Sequence, residues 1–186
     1  MGSINIDFIK QLRDDYNNYQ VFIETGTLNG DSTFSLEPYF NELHTIELSE
    51  YYYYNTKARY NGNKINFYLG DSTDVLKEIL PNIKSDTIFF LDGHYSSGGT
   101  AQGNKDCPLI EEIENINNLF DNKAIIIIDD LRLFGKDKSS GILLEDWSEI
   151  SEDKIKSILT DRITDYYYLD SNHTKNDRLI IHISNK

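Results

Sequence analysis

The segment Val21-Phe-Ile-Glu-Thr-Gly-Thr-Leu-Asn-Gly30 constrains the fold more than any other part of the chain. An apolar strand ends in an acid, turns through Gly26 and Gly30, and runs into the helix-like stretch that begins Asp31-Ser-Thr-Phe. Glycines allow positive φ and let backbone approach a ligand closely. About 20 residues past the first glycine, as a nucleoside-binding βαβ unit requires, His44-Thr-Ile-Glu47 supplies a second short strand that ends in an acid. A carboxylate in that place can accept hydrogen bonds from both hydroxyls of a ribose. The pattern points to an adenosine-containing ligand.

Five apolar strand candidates alternate with helical segments: Val21–Glu24, His44–Leu48, Ile65–Leu69, Thr87–Leu91 and Ala124–Asp129. The last reads Ala-Ile-Ile-Ile-Ile without alternation, as a central parallel strand covered on both faces should. After the third strand, Ser72-Thr-Asp-Val-Leu-Lys-Glu-Ile-Leu stops at Pro81. Asp106-Cys-Pro-Leu opens another helix, with Asp106 as cap, Pro108 in the first turn and Leu109, Ile113, Ile116 and Phe120 as its buried stripe. Residues 5–18 carry Phe8, Ile9 and Leu12 at helical spacing, which predicts an N-terminal helix within residues 1–19 ahead of a core over 20–186. Asp165–Leu169 and Arg178–Ile183 are separated by too short a polar loop for a crossover and should pair antiparallel. The expected fold is a single α/β domain, a Rossmann-like doubly wound, mostly parallel sheet with a C-terminal antiparallel hairpin.

Bulk properties exclude several functions. At 186 residues the chain can bury one full core. A formal charge of −13 argues against nucleic acid and against anionic membrane surfaces as partners, since both are bound through Lys and Arg. No apolar run reaches the length of a membrane span, and Met1–Lys10 lacks the pattern of a signal peptide. A single cysteine, Cys107, forbids an internal disulfide and fits a reducing, cytoplasmic setting. Self-association is left open by the residues.

A parallel α/β sheet closed by an antiparallel strand, with Glu24-Thr-Gly26-Thr-Leu-Asn-Gly30, Glu47 and Gly70-Asp71-Ser72 in order, resembles the class I methyltransferases dependent on S-adenosylmethionine (SAM). The resemblance implies cofactor contacts from Glu24, Thr25, Gly26, Gly30, Ser32, Glu47, Leu48, Asp71, Ser72 and Asp92, with Glu47 on the ribose and Asp71 facing the adenine. Asp71 equally suits an N-cap, and Glu24 a cap or sheet-edge role.

Phe89-Phe-Leu-Asp92-Gly-His94-Tyr95 and Ile126-Ile-Ile-Asp129-Asp130 each run an apolar strand into carboxylates. In the fold implied, both ends open onto one crevice, where Asp92, Asp129 and Asp130 would repel one another without a cation. Hard oxygen ligands suit Mg²⁺, Mn²⁺ or Ca²⁺. The arrangement is similar to that of metal-dependent O-methyltransferases of the catechol and sugar types, and the Asp-Asp pair favours the sugar type. An alcohol needs such help because a bound divalent ion lowers its pKa. His94 is the candidate base, beside Asp92; the lysine that catechol enzymes carry shortly after this aspartate is replaced by Tyr95, and Lys105 is a second candidate.

The resemblance therefore implies metal-assisted O-methylation of a small hydroxylated acceptor, such as a sugar or nucleotide-sugar. The alternatives are a metal-independent N-methyltransferase, a NAD-dependent dehydrogenase or epimerase, and an inactive nucleoside-binding module. The Gly/Ser/Thr-rich stretch from Ser96 to Lys105 and the insert Leu131–Trp147 are the candidate acceptor walls. Tyr53 and Lys57 match the catalytic pair of short-chain dehydrogenases but follow the wrong strand; with Tyr51, Tyr52 and Tyr54 they read as the partly buried face of an ordinary helix. Cys107 has no nucleophile context.

Overall fold

A computed structural model describes residues 2–95, 101, 103, 105–140 and 145–186. Strands β1 (Val21–Thr25), β2 (Glu42–Glu47), β3 (Ile65–Leu69), β4 (Thr87–Leu91), β5 (Ala124–Ile128), β6 (Ile163–Leu169) and β7 (Arg178–Ile183) form one sheet in the order β3-β2-β1-β4-β5-β7-β6. The first five run parallel, and β7 pairs antiparallel with both β5 and β6. This is the doubly wound sheet with a C-terminal hairpin that the sequence predicts.

Strand β5 shows why its apolar run does not alternate. Ile126 and Ile128 face a core shared with α4 (Ser72–Ile79), α5 (Leu109–Leu119) and α6 (Glu152–Leu159), whereas Ile125 and Ile127 face a second core with Phe8, Ile9, Leu12 and Leu36. Both faces are covered, so both must be apolar. The chain reverses direction of winding between β1 and β4, and in such sheets ligands bind at that point, beyond the carboxyl ends of the strands.

The N-terminal helix is shorter than the spacing predicts. Helix α1 covers only Ile6–Ile9, capped by Asn5 Oδ1, which accepts from the N–H groups of Asp7 and Phe8. A 3-10 turn at Tyr16–Asn18 follows, held by the Asp15 side chain bonding Asn17 N–H at 3.0 Å. Arg13 N–H donates to the Tyr167 hydroxyl at 2.9 Å. Side chains that satisfy nearby backbone compete with helix continuation, and here they end it. Phe8, Ile9 and Leu12 are nonetheless buried as expected.

Two further differences are local. On helix α3 (Glu50–Ala58) only Tyr52 and Tyr53 are half-buried: Tyr51 is 70% and Tyr54 60% exposed, and Thr56 is the buried residue. Helix α5 is preceded by Pro108 in the cap position, not Asp106, because the Asp106 carboxylate turns away to accept from Asp146 N–H at 3.0 Å and to pair with Lys138 at 2.6 Å. Among the described residues no helix is long and apolar enough to cross a membrane.

Candidate functional site

The loop after β1 is shaped by two glycines. Gly26 takes φ +85° and donates its N–H to Ile46 O at 2.9 Å; a Cβ there would strike the Asp92 carbonyl, so only glycine lets the ends of β1, β2 and β4 meet. Gly30, at φ +74°, stands before α2 (Asp31–Leu36). Between them Leu28 is also at positive φ, and its N–H donates to Glu47 Oε2 at 2.7 Å. The other Glu47 oxygen accepts from Ser49 N–H at 2.8 Å. The acid that ends β2 thus holds the glycine loop in place and leaves lone pairs for a ligand.

An open cleft lies over these strand ends and encloses about 610 Å³ of space, solvent included. Six of the ten cofactor residues expected from the sequence line it: Gly26, Glu47, Leu48, Asp71, Ser72 and Asp92. Asp71 serves both readings given above, since it lines the cleft and caps α4 by accepting from Thr73 N–H at 2.9 Å.

The other four stand behind the wall. Glu24 is fully buried on the far face of β1, accepting from the Thr33 hydroxyl at 2.5 Å and the Thr45 hydroxyl at 3.2 Å. Burial pushes its pKa up to about 7, against the pull of those hydroxyl bonds. Thr25 points to the opposite face, where Oγ1 is buried without a hydrogen-bond partner. Ser32 Oγ accepts from Ile4 N–H at 3.3 Å, tying α2 to the N-terminal segment. With Gly30, these residues shape the loop; the alternation of side chains along β1 sends Glu24 and Thr25 away from the cleft.

The ends of β4 and β5 bring together the second constellation. His94 has Asp92 Oδ1 at 3.5 Å from Nδ1, Asp130 Oδ2 at 3.2 Å from Nε2, and Glu145 Oε2 at 3.8 Å. Its ring stands edge-on to Trp147, with centroids 5.0 Å apart. Trp147 Nε1–H in turn donates to Glu145 Oε2 at 2.9 Å. Burial lowers the pKa of His94, opposed by Asp130, Glu145 and Asp129. Burial, with Asp129, Asp130 and Glu24 nearby, raises that of Asp92 well above the usual carboxylate range. Asp92 Oδ1 is buried and makes no hydrogen bond. Ligating atoms of Asp92, His94 and Asp130 all lie within 4.8 Å of one another.

The three acids expected at a metal site do not stand alike. Asp130, in the left-handed conformation at φ +64°, aims its carboxylate at His94 and also pairs with Arg132, which a buried Asp177 holds from the other side. Asp129 faces away. Its oxygens are taken by Arg178, from Nε at 3.1 Å and Nη2 at 3.3 Å, and Gly2 packs against the pair. Asp129 also falls into a second acid group with Asp130 and Asp177.

Of the acceptor walls, Ala101, Gly103 and Lys105 line the cleft, whereas 96–100, 102, 104 and 141–144 lie outside the described residues. The Lys105 ammonium is paired with Glu111. Three participants went unread in the sequence. Glu145 sits in the insert Leu131–Trp147, where the sequence shows only a candidate acceptor wall. Arg178 opens β7, whose antiparallel register brings it beside Asp129. Glu112 is an acid on the buried stripe of α5 among Leu109, Ile113 and Ile116, and that misplaced charge was its signal.

No protein-family model matches the sequence, and no curated protein matches it either. Solved structures share the fold. A protein from Staphylococcus aureus assigned as a caffeoyl-CoA O-methyltransferase superposes with a TM-score of 0.60 at 19% identity, over 96% of this chain and 82% of its own. One from Listeria monocytogenes assigned as an S-adenosylmethionine dependent methyltransferase gives 0.58 at 13% identity, over 97% of each chain. Magnesium protoporphyrin IX methyltransferase from Synechocystis, with S-adenosylhomocysteine (SAH) bound, gives 0.57 at 13% identity, over 96% of this chain and 78% of its own. At these identities the likeness establishes the methyltransferase-type Rossmann fold, and the chemistry has to be argued from the residues.

Proposed function

We propose that this chain is a SAM-dependent methyltransferase acting on a hydroxyl of a small acceptor, with a divalent cation held by Asp92, His94 and Asp130. The cofactor reading rests on the cleft at the β1/β4 switch point, where Gly26, Glu47 and Asp71 stand as a nucleoside ligand requires. Glu47 would accept the ribose hydroxyls, and the close approach of Gly26 to Asp92 would place the methionine end near the acids.

The observation that carries the cation is the orphaned, buried Asp92 Oδ1 facing His94 and Asp130. A carboxylate left dry and unpaired is costly, and a hard cation would relieve it. Asp129 leaves the ligand set in this reading, because Arg178 already neutralises it. Its role is to hold the β5 end in register beside Asp130. The bound ion would lower the pKa of an acceptor hydroxyl. Glu145 and Trp147 fix the His94 ring from behind. A sugar is the preferred acceptor, as a neutral hydroxylated molecule suits an acidic rim better than a phosphorylated one.

One observation favours a second reading within the same fold. Burial keeps His94 neutral, which suits a general base that takes the acceptor proton with Asp92 orienting the ring. In that case a metal is dispensable, and the acceptor could be an amine. Calorimetric titration of SAH tests the cofactor, and activity on a panel of sugars and amines with Mg²⁺ or EDTA separates the two readings. Absence of SAH binding would overturn both.

A further inference from the structure

Next to the cleft lies a narrow void with room for one water-sized group, and it shares Asp92, Gly93 and His94 with the cleft. Glu112 forms one wall. It is 1% exposed, and its Oε1 has no hydrogen-bond partner. This oxygen lies directly under the Gly93 turn, where a Cβ on Gly93 would come within 3.2 Å of it. Asp92 adds a second carboxylate, Asp129 lines the void but is already paired with Arg178, and Trp147 supplies an aromatic wall. No Lys or Arg is among the described residues that line the void. Stretches 96–104 and 141–144 contain no charged residue that could change this balance.

We infer that the void is a binding site for a primary ammonium group, received by Glu112 against the face or edge of Trp147. Size and donor count select this ligand. An ammonium is as small as water and brings three donors to a void where Glu112 Oε1 and Asp92 Oδ1 are both unpartnered. A divalent ion would need six or more oxygens, and the apolar side chains of Leu91, Leu109 and Trp147 occupy too much of the wall to provide them. The indole adds attraction for a cation. An anion or a phosphate finds no counter-charge there. Burial pushes the Glu112 pKa up to about 7, against the pull of the nearby Ser72 and Thr25 hydroxyls, and a bound cation would hold it ionised.

Two molecules could bring such a group: the methionine end of the cofactor, or an amine-bearing acceptor such as an amino sugar. The existence of the site stands on its own geometry; only the source of the amine rests on the cofactor reading above.

Trp147 is the only tryptophan, so its fluorescence reports the void directly. Methylammonium chloride is titrated into the full chain against potassium chloride at equal ionic strength. A saturable change with methylammonium alone is expected, and Glu112→Gln should raise the half-saturating concentration at least tenfold while circular dichroism and thermal midpoint confirm folding. Repeating the titration with saturating SAH tells the sources apart: a response abolished by SAH assigns the site to the cofactor's amine, and one that persists assigns it to an acceptor. A response equal with potassium, none at all, or one unchanged in folded Glu112→Gln overturns the inference and leaves a buried water under Gly93. If SAH itself fails to bind while methylammonium responds, the cofactor reading falls and the ammonium site stands.

Discussion

Arg178 grips Asp129 through two hydrogen bonds, with both side chains almost wholly buried and Gly2 O accepting a third bond from the same guanidinium at 2.7 Å. The pair joins the antiparallel β7 to the carboxyl end of β5 and draws the N-terminal segment over both. Removing one partner of such a pair strands the other charge, at a cost of about 3–5 kcal/mol. Arg178→Met is therefore expected to lower unfolding free energy by about that amount in urea titration. A loss below about 1 kcal/mol would mean that the pair contributes little and that the β5 end is held by other means.

The same geometry separates two adjacent aspartates. Asp130→Asn is expected to weaken Mn²⁺ binding, followed by electron paramagnetic resonance of the free ion, at least tenfold. Asp129→Asn should change it far less, because that carboxylate is already neutralised. Equal losses in both variants would restore Asp129 to the ligand set, and no Mn²⁺ binding by the unaltered chain would remove the metal.

Glu47 is expected to carry much of the cofactor affinity. Hydrogen bonds to a charged acceptor contribute about 1.5–3 kcal/mol each, so Glu47→Gln should weaken SAH binding by roughly ten- to a hundred-fold in calorimetry. The amide keeps an acceptor for one of the two N–H groups from Leu28 and Ser49. An unchanged dissociation constant would take Glu47 out of the site.

Glu24 predicts a pH dependence of stability. Its folded pKa of about 7 lies above the ordinary 4.5, so between those values the folded state binds the extra proton. Stability contributed by this group is then greatest below about pH 4.5 and falls as pH rises toward 7, with a full change on the order of 3 kcal/mol. Glu112 titrates in the same window and adds to the fall. Glu24→Gln should gain stability relative to the unaltered chain as pH is raised from 5 to 8. A difference that stays constant with pH would show that Glu24 is ionised throughout.

Much of this was legible in the residues because it depends on local pattern. Gly26 and Gly30 announce a turn that only glycine can make, and the strand-end acids Glu47, Asp92, Asp129 and Asp130 follow from apolar runs that stop abruptly. The unbroken isoleucines of β5 require two covered faces, which requires a doubly wound sheet. The N-terminal helix stops short on equally local grounds: Asp14 accepts from Asp15 N–H and Asp15 from Asn17 N–H, alternatives for the backbone that periodicity does not register.

What the chain alone determined was the sheet, its switch point and the acids that gather there. Which of those acids can meet a ligand was decided only by tertiary structure. Glu24 and Thr25 are neighbours of Gly26 in sequence, yet strand alternation turns both from the cleft. Asp129 and Asp130 look interchangeable until Arg178, 49 residues beyond Asp129, claims one of them. Glu112 reads as a helix residue until α5 packs it under Gly93. Charge and burial at these positions come from partners distant in the chain, and no local pattern encodes which partner arrives.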